Sequence, residues 1–294
     1  MNVATAAYPI DPLVSWQAYE EKIERWVAEA AGHGSDLLVF PEYAAMELAM
    51  LAGPEVAADL EASLHAVSER VPAADALHAR LAVSYGVHIC AGSAPVFDPE
   101  VCDRPVNRAR FFTPSGAVGV QDKQIMTRYE RDPMRIAPGG PLKLFDTALG
   151  KIGILICYDA EFPLLGRVLN EADFILAPSC TEALSGYWRV RIGAMARALE
   201  QQCVTVMSSL VGPAEWNEVA DMNTGAGGVF GPPDVGFPDA GVLAEGELNM
   251  PGWVFAQIDT VSIANVRSEG RVLGRTHWNE QNSRNITPVI EPLS

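Results

Sequence analysis

The chain is poor in basic residues: 21 Lys and Arg stand against 37 Asp and Glu, a formal net charge of −16. Such a surface repels nucleic acid and anionic membranes, so neither is an expected partner. The five cysteines carry no C-x-x-C spacing and are odd in number. That argues against a zinc ribbon or a disulfide framework. No apolar run approaches the roughly 18 residues needed to cross a bilayer. The opening MNVATAAYPID lacks a basic segment followed by a long apolar stretch, so no signal peptide is read there. Free thiols and the missing leader together make a cytoplasmic protein the expectation. Low-complexity tracts, linkers and charge blocks are also missing.

What is present is an ordinary globular composition, 49% hydrophobic and 20% charged over 294 residues, enough for a sizeable core. Short apolar runs alternate with amphipathic stretches. Residues 3–8, 36–40, 87–96, 151–157, 173–179, 203–209, 227–233 and 253–259 read as strands. Residues 108–123 read as a hairpin turning at Pro114, Ser115 and Gly116. Residues 15–31 read as a helix with Tyr19, Ile23, Trp26, Val27 and Ala30 on one face. Residues 55–85 read as helical with a break at Pro72. Residues 186–202 read as a helix with Trp188, Ile192, Met195 and Leu199 on one face. After about residue 265 the pattern turns polar and irregular. Interleaving without a linker predicts one α/β domain over 1–294 with mixed sheet flanked by helices.

Three polar residues stand where an apolar strand ends. Loops at strand ends expose side chains while the sheet holds their backbone, so chemistry collects there. Glu42 follows DLLVFP; partial burial would raise its pKa and suit it to proton transfer. Lys123 closes AVGVQDK, where a fixed ammonium can stabilise an oxyanion. Cys157 closes KIGILIC and enters YDAEFP, which is not how a core strand continues, and a sharp turn there can expose and activate a thiol. Taken singly, Glu42 has an equally ordinary reading as a helix-opening acid and Lys123 as a solvated strand end. As a set they make a complete apparatus for acyl transfer: nucleophile, proton carrier and oxyanion stabiliser, with no metal or other cofactor required.

With these motifs in the order FPEY, DKQIMTRYE and GILICYDAEFP, the chain resembles the nitrilase, or carbon–nitrogen hydrolase, superfamily. The stretch APSCTEALSGYWRVRIGAMARALEQQ after the nucleophile resembles the same family. The resemblance implies an α-β-β-α sandwich, two mixed sheets between helix layers. It also implies homodimers or larger homo-oligomers, and a small-molecule amide or nitrile substrate. It adds a second glutamate near the lysine. Glu130 is the candidate, the alternative being a surface pair with Arg128 or Arg131. Tyr158-Asp159 after Cys157 resembles the amidase and carbamoylase side rather than the Trp-Glu of nitrile-acting members. The Tyr158 amide is the implied oxyanion partner of Lys123. Tyr43, Tyr129 and Trp188 are candidate wall residues that core packing explains equally well. Glu161 is a candidate substrate contact or a helix-start acid. Amide hydrolysis leads; nitrile hydrolysis and a catalytically idle scaffold are the alternatives. A scaffold would have no need of all three groups.

Overall fold

The computed structural model describes residues 1–284, 287–288 and 290–293. Its strands are β1 (Asn2–Tyr8), β2 (Leu37–Val39), β3 (His88–Val96), β4 (Val106–Phe112), β5 (Val118–Asp122), β6 (Leu144–Thr147), β7 (Gly150–Ile154), β8 (Phe174–Ser179), β9 (Val204–Leu210), β10 (Gly212–Pro213), β11 (Met222–Asn223), β12 (Gly228–Phe230), β13 (Val242–Glu245) and β14 (Gly252–Gln257). The helices are α1 (Trp16–Gly32), α2 (Pro54–Ala58), α3 (Leu60–Tyr85), α4 (Arg128–Arg131), α5 (Pro163–Val168), α6 (Leu184–Gln201), α7 (Thr260–Glu269) and α8 (Gly274–His277).

Twelve of the strands form one continuous mixed sheet that folds into two halves of like size, and β10 and β11 form a separate two-stranded sheet. One half runs β5-β4-β3-β2-β1-β14 and the other β6-β7-β8-β9-β12-β13. They touch where Ala7 and Tyr8, at the end of β1, pair with Ser209 and Leu210 of β9. Between the halves lies an apolar layer of Val3, Leu37, Val39, Phe111, Ile152, Ile154, Phe174, Leu176, Val204 and Val206. Phe111 of β4 stacks on Phe145 of β6 across it. The opposite face of the first half packs Ala4, Ala6, Leu38, Phe40 and Ile89 against Ile23 and Val27 of α1 and Leu64, Val67 and Leu77 of α3. The second half is covered by α6. This is the expected sandwich. Strand side chains alternate between two buried faces, which is why these strands read as continuous apolar runs.

Two expectations need correction, on α3 and on the tail, and α6 shows which of its faces turns inward. Helix α3 does not break at Pro72; it runs from an Asp59 cap, whose carboxylate accepts the Ala62 N–H, to a left-handed Gly86. Burial of Val67, Val71, Ala74 and Leu77 offsets the hydrogen bond that proline cannot donate. The inward face of α6 is Gly186, Val190, Gly193, Ala194 and Ala198, while Trp188, Ile192 and Leu199 point outward. Small residues are required inside, because a Cβ on Gly193 would lie 2.7 Å from the Ala160 carbonyl oxygen. The segment from about 265 is not irregular throughout: α7 continues to Glu269, followed by α8 and a 3-10 turn at Trp278–Ser283. Among the described residues no helix is long and apolar enough to cross a membrane.

Candidate active site

Glu42, Lys123 and Cys157 lie three, one and three residues beyond the ends of β2, β5 and β7. The folded sheet brings these ends together. β2 is parallel to both its neighbours, β7 is parallel to β8, and β5 is the edge strand of a hairpin that returns to the same side.

Each segment is shaped locally for its role. Glu42 sits between Pro41 and Tyr43, whose φ is 56°. Gly92, at φ 71°, lets β3 approach so closely that a Cβ there would be 1.9 Å from the Pro41 carbonyl oxygen. The adjacent Ser93 hydroxyl accepts the Tyr43 N–H. The 3-10 segment that follows is anchored by Glu47, which receives the Tyr8 hydroxyl at 2.6 Å and the Lys22 ammonium at 2.6 Å. Glu130 is the last member of a capping box on α4. Thr127 Oγ1 accepts the Glu130 N–H and Glu130 Oε2 accepts the Thr127 N–H. Cys157 opens a 3-10 turn at φ 50°, a left-handed conformation uncommon outside glycine. The turn is pinned by Asp159, whose carboxylate accepts N–H groups of Gln124, Ile125 and Ile156. Asp159 thus ties the cysteine turn to the segment that carries Lys123.

At the centre, the Lys123 ammonium donates to Glu42 Oε1 at 2.7 Å and to Glu130 Oε2 at 2.6 Å. All three side chains are buried, Lys123 to 1% exposure. An ammonium has three N–H groups; two are committed to carboxylates, and one remains. Asn107, on β4, donates to Glu42 Oε1 and Glu130 Oε1 at 2.9 and 3.1 Å, and its carbonyl accepts the Lys123 N–H. The Cys180 backbone joins the other side. Its N–H donates to Glu42 Oε2 at 3.0 Å, and its carbonyl accepts the Cys157 thiol at 3.6 Å. Glu42 and Cys157 are therefore bound to the N–H and the carbonyl of one residue.

The electrostatics separate the two glutamates. Burial pushes the Glu42 carboxyl up; Lys123 opposes this, the Glu130 charge adds to it, and the group stays above its usual range. For Glu130 burial also acts upward, but Lys123 and the donors from Thr127 and Asn107 outweigh it and hold the group below its usual range. Burial disfavours the Lys123 charge, yet Glu130 and Glu42 keep its pKa well above normal. Burial, then the Glu42 charge, raises the Cys157 thiol well above the ordinary cysteine value. At rest the cluster is a neutral thiol, an ammonium, an anionic counter-ion and a basic carboxylate.

Two cavities meet here. One, about 270 Å³, is lined by Glu42, Tyr43, Lys123, Tyr129, Glu130 and Cys180, with Glu218 and Asp221. The other, about 230 Å³, is lined by Cys157, Tyr158, Glu161, Cys180, Gly186 and Arg189. Thr127, Cys180 and Glu182 belong to both. Glu130 is no surface residue paired with Arg128 or Arg131; it is buried on Lys123. Tyr43 is in the wall, but its hydroxyl is committed to Glu130. Tyr129 lines the mouth and donates to Glu218. Glu161 pairs with Arg189 at the rim at 3.2 Å. Trp188 lines neither cavity: it is 45% exposed on the outer face of α6. The Tyr158 amide makes no hydrogen bond among the described residues and is free to serve an oxyanion. Among the described residues no group of three or more His, Cys, Asp or Glu is arranged to hold a metal.

Sequence reasoning missed Asn107, Asp159 and the Cys180 backbone. Asn107 left one signal, a polar residue within the otherwise alternating β4 run VNRARFF. A backbone role such as that of Cys180 leaves none.

A family model described as carbon-nitrogen hydrolase matches residues 2–268. Among curated proteins the chain is similar to the probable hydrolase YhcX of Bacillus subtilis, with 32% identity over 277 residues, 92% of this chain and 52% of that protein. The chain thus spans about half the length of that relative. Among solved structures it is similar to Saccharomyces cerevisiae Nit3, a member of branch 10 of the nitrilase superfamily, at 20% identity and TM-score 0.70, covering 91% of this chain and 93% of that one. A variant of the amidase from Nesterenkonia sp. AN1, with acrylamide added at its active site cysteine, superimposes at 23% identity and TM-score 0.65, covering 92% and 97%.

Proposed function

The chain belongs to the carbon–nitrogen hydrolase family, and from that premise we propose that it hydrolyses a small amide through a thioester on Cys157. One observation carries this reading. The thiol of Cys157 and Oε2 of Glu42 are held by the carbonyl and the N–H of one residue, Cys180, while Oε1 of Glu42 is held by Lys123 and Asn107. Oε1 is saturated with donors, so Oε2 is the oxygen left to take a proton.

The steps follow. Glu42 Oε2 takes the Cys157 proton as the sulfur bonds to the substrate carbonyl carbon. That transfer leaves the net charge of the buried cluster unchanged, so it needs no new counter-ion. The oxyanion is met by the third Lys123 N–H and the Tyr158 amide. Glu42 returns the proton to the leaving nitrogen, and the C–N bond breaks to leave a thioester. Water then replaces the amine, gives a proton to Glu42 and attacks the same carbon. The C–S bond breaks, the acid departs, and Glu42 returns the proton to sulfur.

Ammonia release across small primary amides, carbamoyl amines and nitriles tests the reading. Turnover of an amide is the expected result, and turnover of nitriles alone would replace it with nitrile hydrolysis. Folded protein inert to every class, with Cys157 unreactive, would return the scaffold reading. We further propose that like chains assemble, supported by the outward apolar stripe of Leu184, Trp188, Ile192 and Leu199; light scattering checks this.

A further inference from the structure

Asn107 is fully buried, and its Nδ2 supplies donors to two carboxylates, Glu42 and Glu130, at once. Its Oδ1 is buried with no partner among the described residues. The amide cannot be turned round to cure this, since Oδ1 would then face two carboxylate oxygens. A buried acceptor without a donor is costly, and a core position would ordinarily carry an apolar residue instead. The neighbours show what the arrangement secures. Both N–H groups go to Oε1 atoms, one on each glutamate, and the backbone carbonyl fixes Lys123. One residue therefore contacts three of the four candidate catalytic groups.

We propose that Asn107 is the positioning residue that fills Oε1 of Glu42 and so directs proton transfer to Oε2, the oxygen bound to Cys180, the residue whose carbonyl accepts the Cys157 thiol. The inference rests on the proposed role of Glu42 and Cys157. Without Asn107, Glu42 keeps Lys123 but loses a donor that favours its anion and is free to rotate. The anion forms at higher pH, and the basic oxygen is no longer held in place.

The test uses thiol alkylation, which requires no knowledge of the substrate. The rate at which iodoacetamide labels Cys157, located by peptide mass, is followed from about pH 5 to pH 9 in the wild type, Asn107→Leu and Asn107→Ser. The side chain of Asn107→Leu is close in volume and removes the unpartnered acceptor, while that of Asn107→Ser is too short to reach both carboxylates. The expected result is an acid limb displaced upward by about one pH unit or more in both variants, the scale of one charge-assisted hydrogen bond. The plateau rate per labelled Cys157 falls about tenfold. A merely structural residue would lower the labelled fraction but leave the limb and the rate per site unchanged, and that result overturns the proposal. So does failure of both variants to fold, which assigns Asn107 to stability. A wild-type Cys157 that resists labelling throughout would instead sink the functional reading on which the inference stands.

Discussion

Replacing Lys123 by methionine keeps the stem and removes the charge between two buried carboxylates. At 2.6–2.7 Å and an effective dielectric constant of about 20, each contact contributes about 6 kcal/mol of gross attraction. Desolvation offsets most of that, and breaking a buried pair typically costs about 3–5 kcal/mol net. The variant should relieve itself by taking up a proton on Glu42, whose carboxyl is already raised. Its folded state then binds more protons than its unfolded chain at every pH between the unfolded glutamate value, about 4.3, and the raised one. Stability of the variant must fall as pH rises through that window and level off above it. In the wild type Glu130 is held below its usual range, so its contribution is present near neutrality and fades toward acid. The gap between the proteins is therefore largest at pH 8 and should narrow by at least about 1.4 kcal/mol, one pKa unit, by pH 5. Urea midpoints at the two pH values measure it. A gap below about 1 kcal/mol at pH 8, or one independent of pH, would refute the buried-cation reasoning. Turnover should fall about 10²–10³-fold from loss of an oxyanion donor.

Glu130→Gln removes the like charge that raises Glu42, so the acid limb of kcat/KM should move to lower pH while the plateau drops; a limb moving upward would contradict the assigned roles. Gly92→Ala places a Cβ 1.9 Å from the Pro41 carbonyl oxygen at a φ of 71°. It should displace Glu42 and cut kcat at least about a hundredfold, since a misplacement of about 1 Å costs that much; near-normal kcat would show that the loop has slack. Trp188→Ala should change kcat/KM by less than about threefold, as expected for an exposed site worth under about 0.5 kcal/mol; a large loss would return Trp188 to the substrate site.

Much of this site was legible because three chemical residues follow apolar strands, and strand ends converge in an interleaved α/β fold. The structure brings Glu42, Lys123 and Glu130 into contact and links Cys157 to Glu42 through Cys180. Local pattern falls short where tertiary contacts decide. In α6 the large apolar residues lie outside, because close approach of the cysteine turn demands glycine and alanine inside. Pro72 remains within α3 because packing on both flanks overrides its propensity to break a helix. Asn107 and Asp159 act through contacts 16 to 65 residues away, several of them to backbone groups, and no periodicity reports such contacts. The cavity walls come from the 127–134 and 218–222 segments, whose conformations depend on capping and turn contacts rather than on a repeat.

The most direct test of the account is intact mass spectrometry of the wild type and of Cys157→Ala after incubation with the small amides, with released ammonia followed alongside. The account predicts an acyl adduct on Cys157 in the wild type, and neither adduct nor ammonia from a folded Cys157→Ala protein. Undiminished ammonia release from that variant would contradict it.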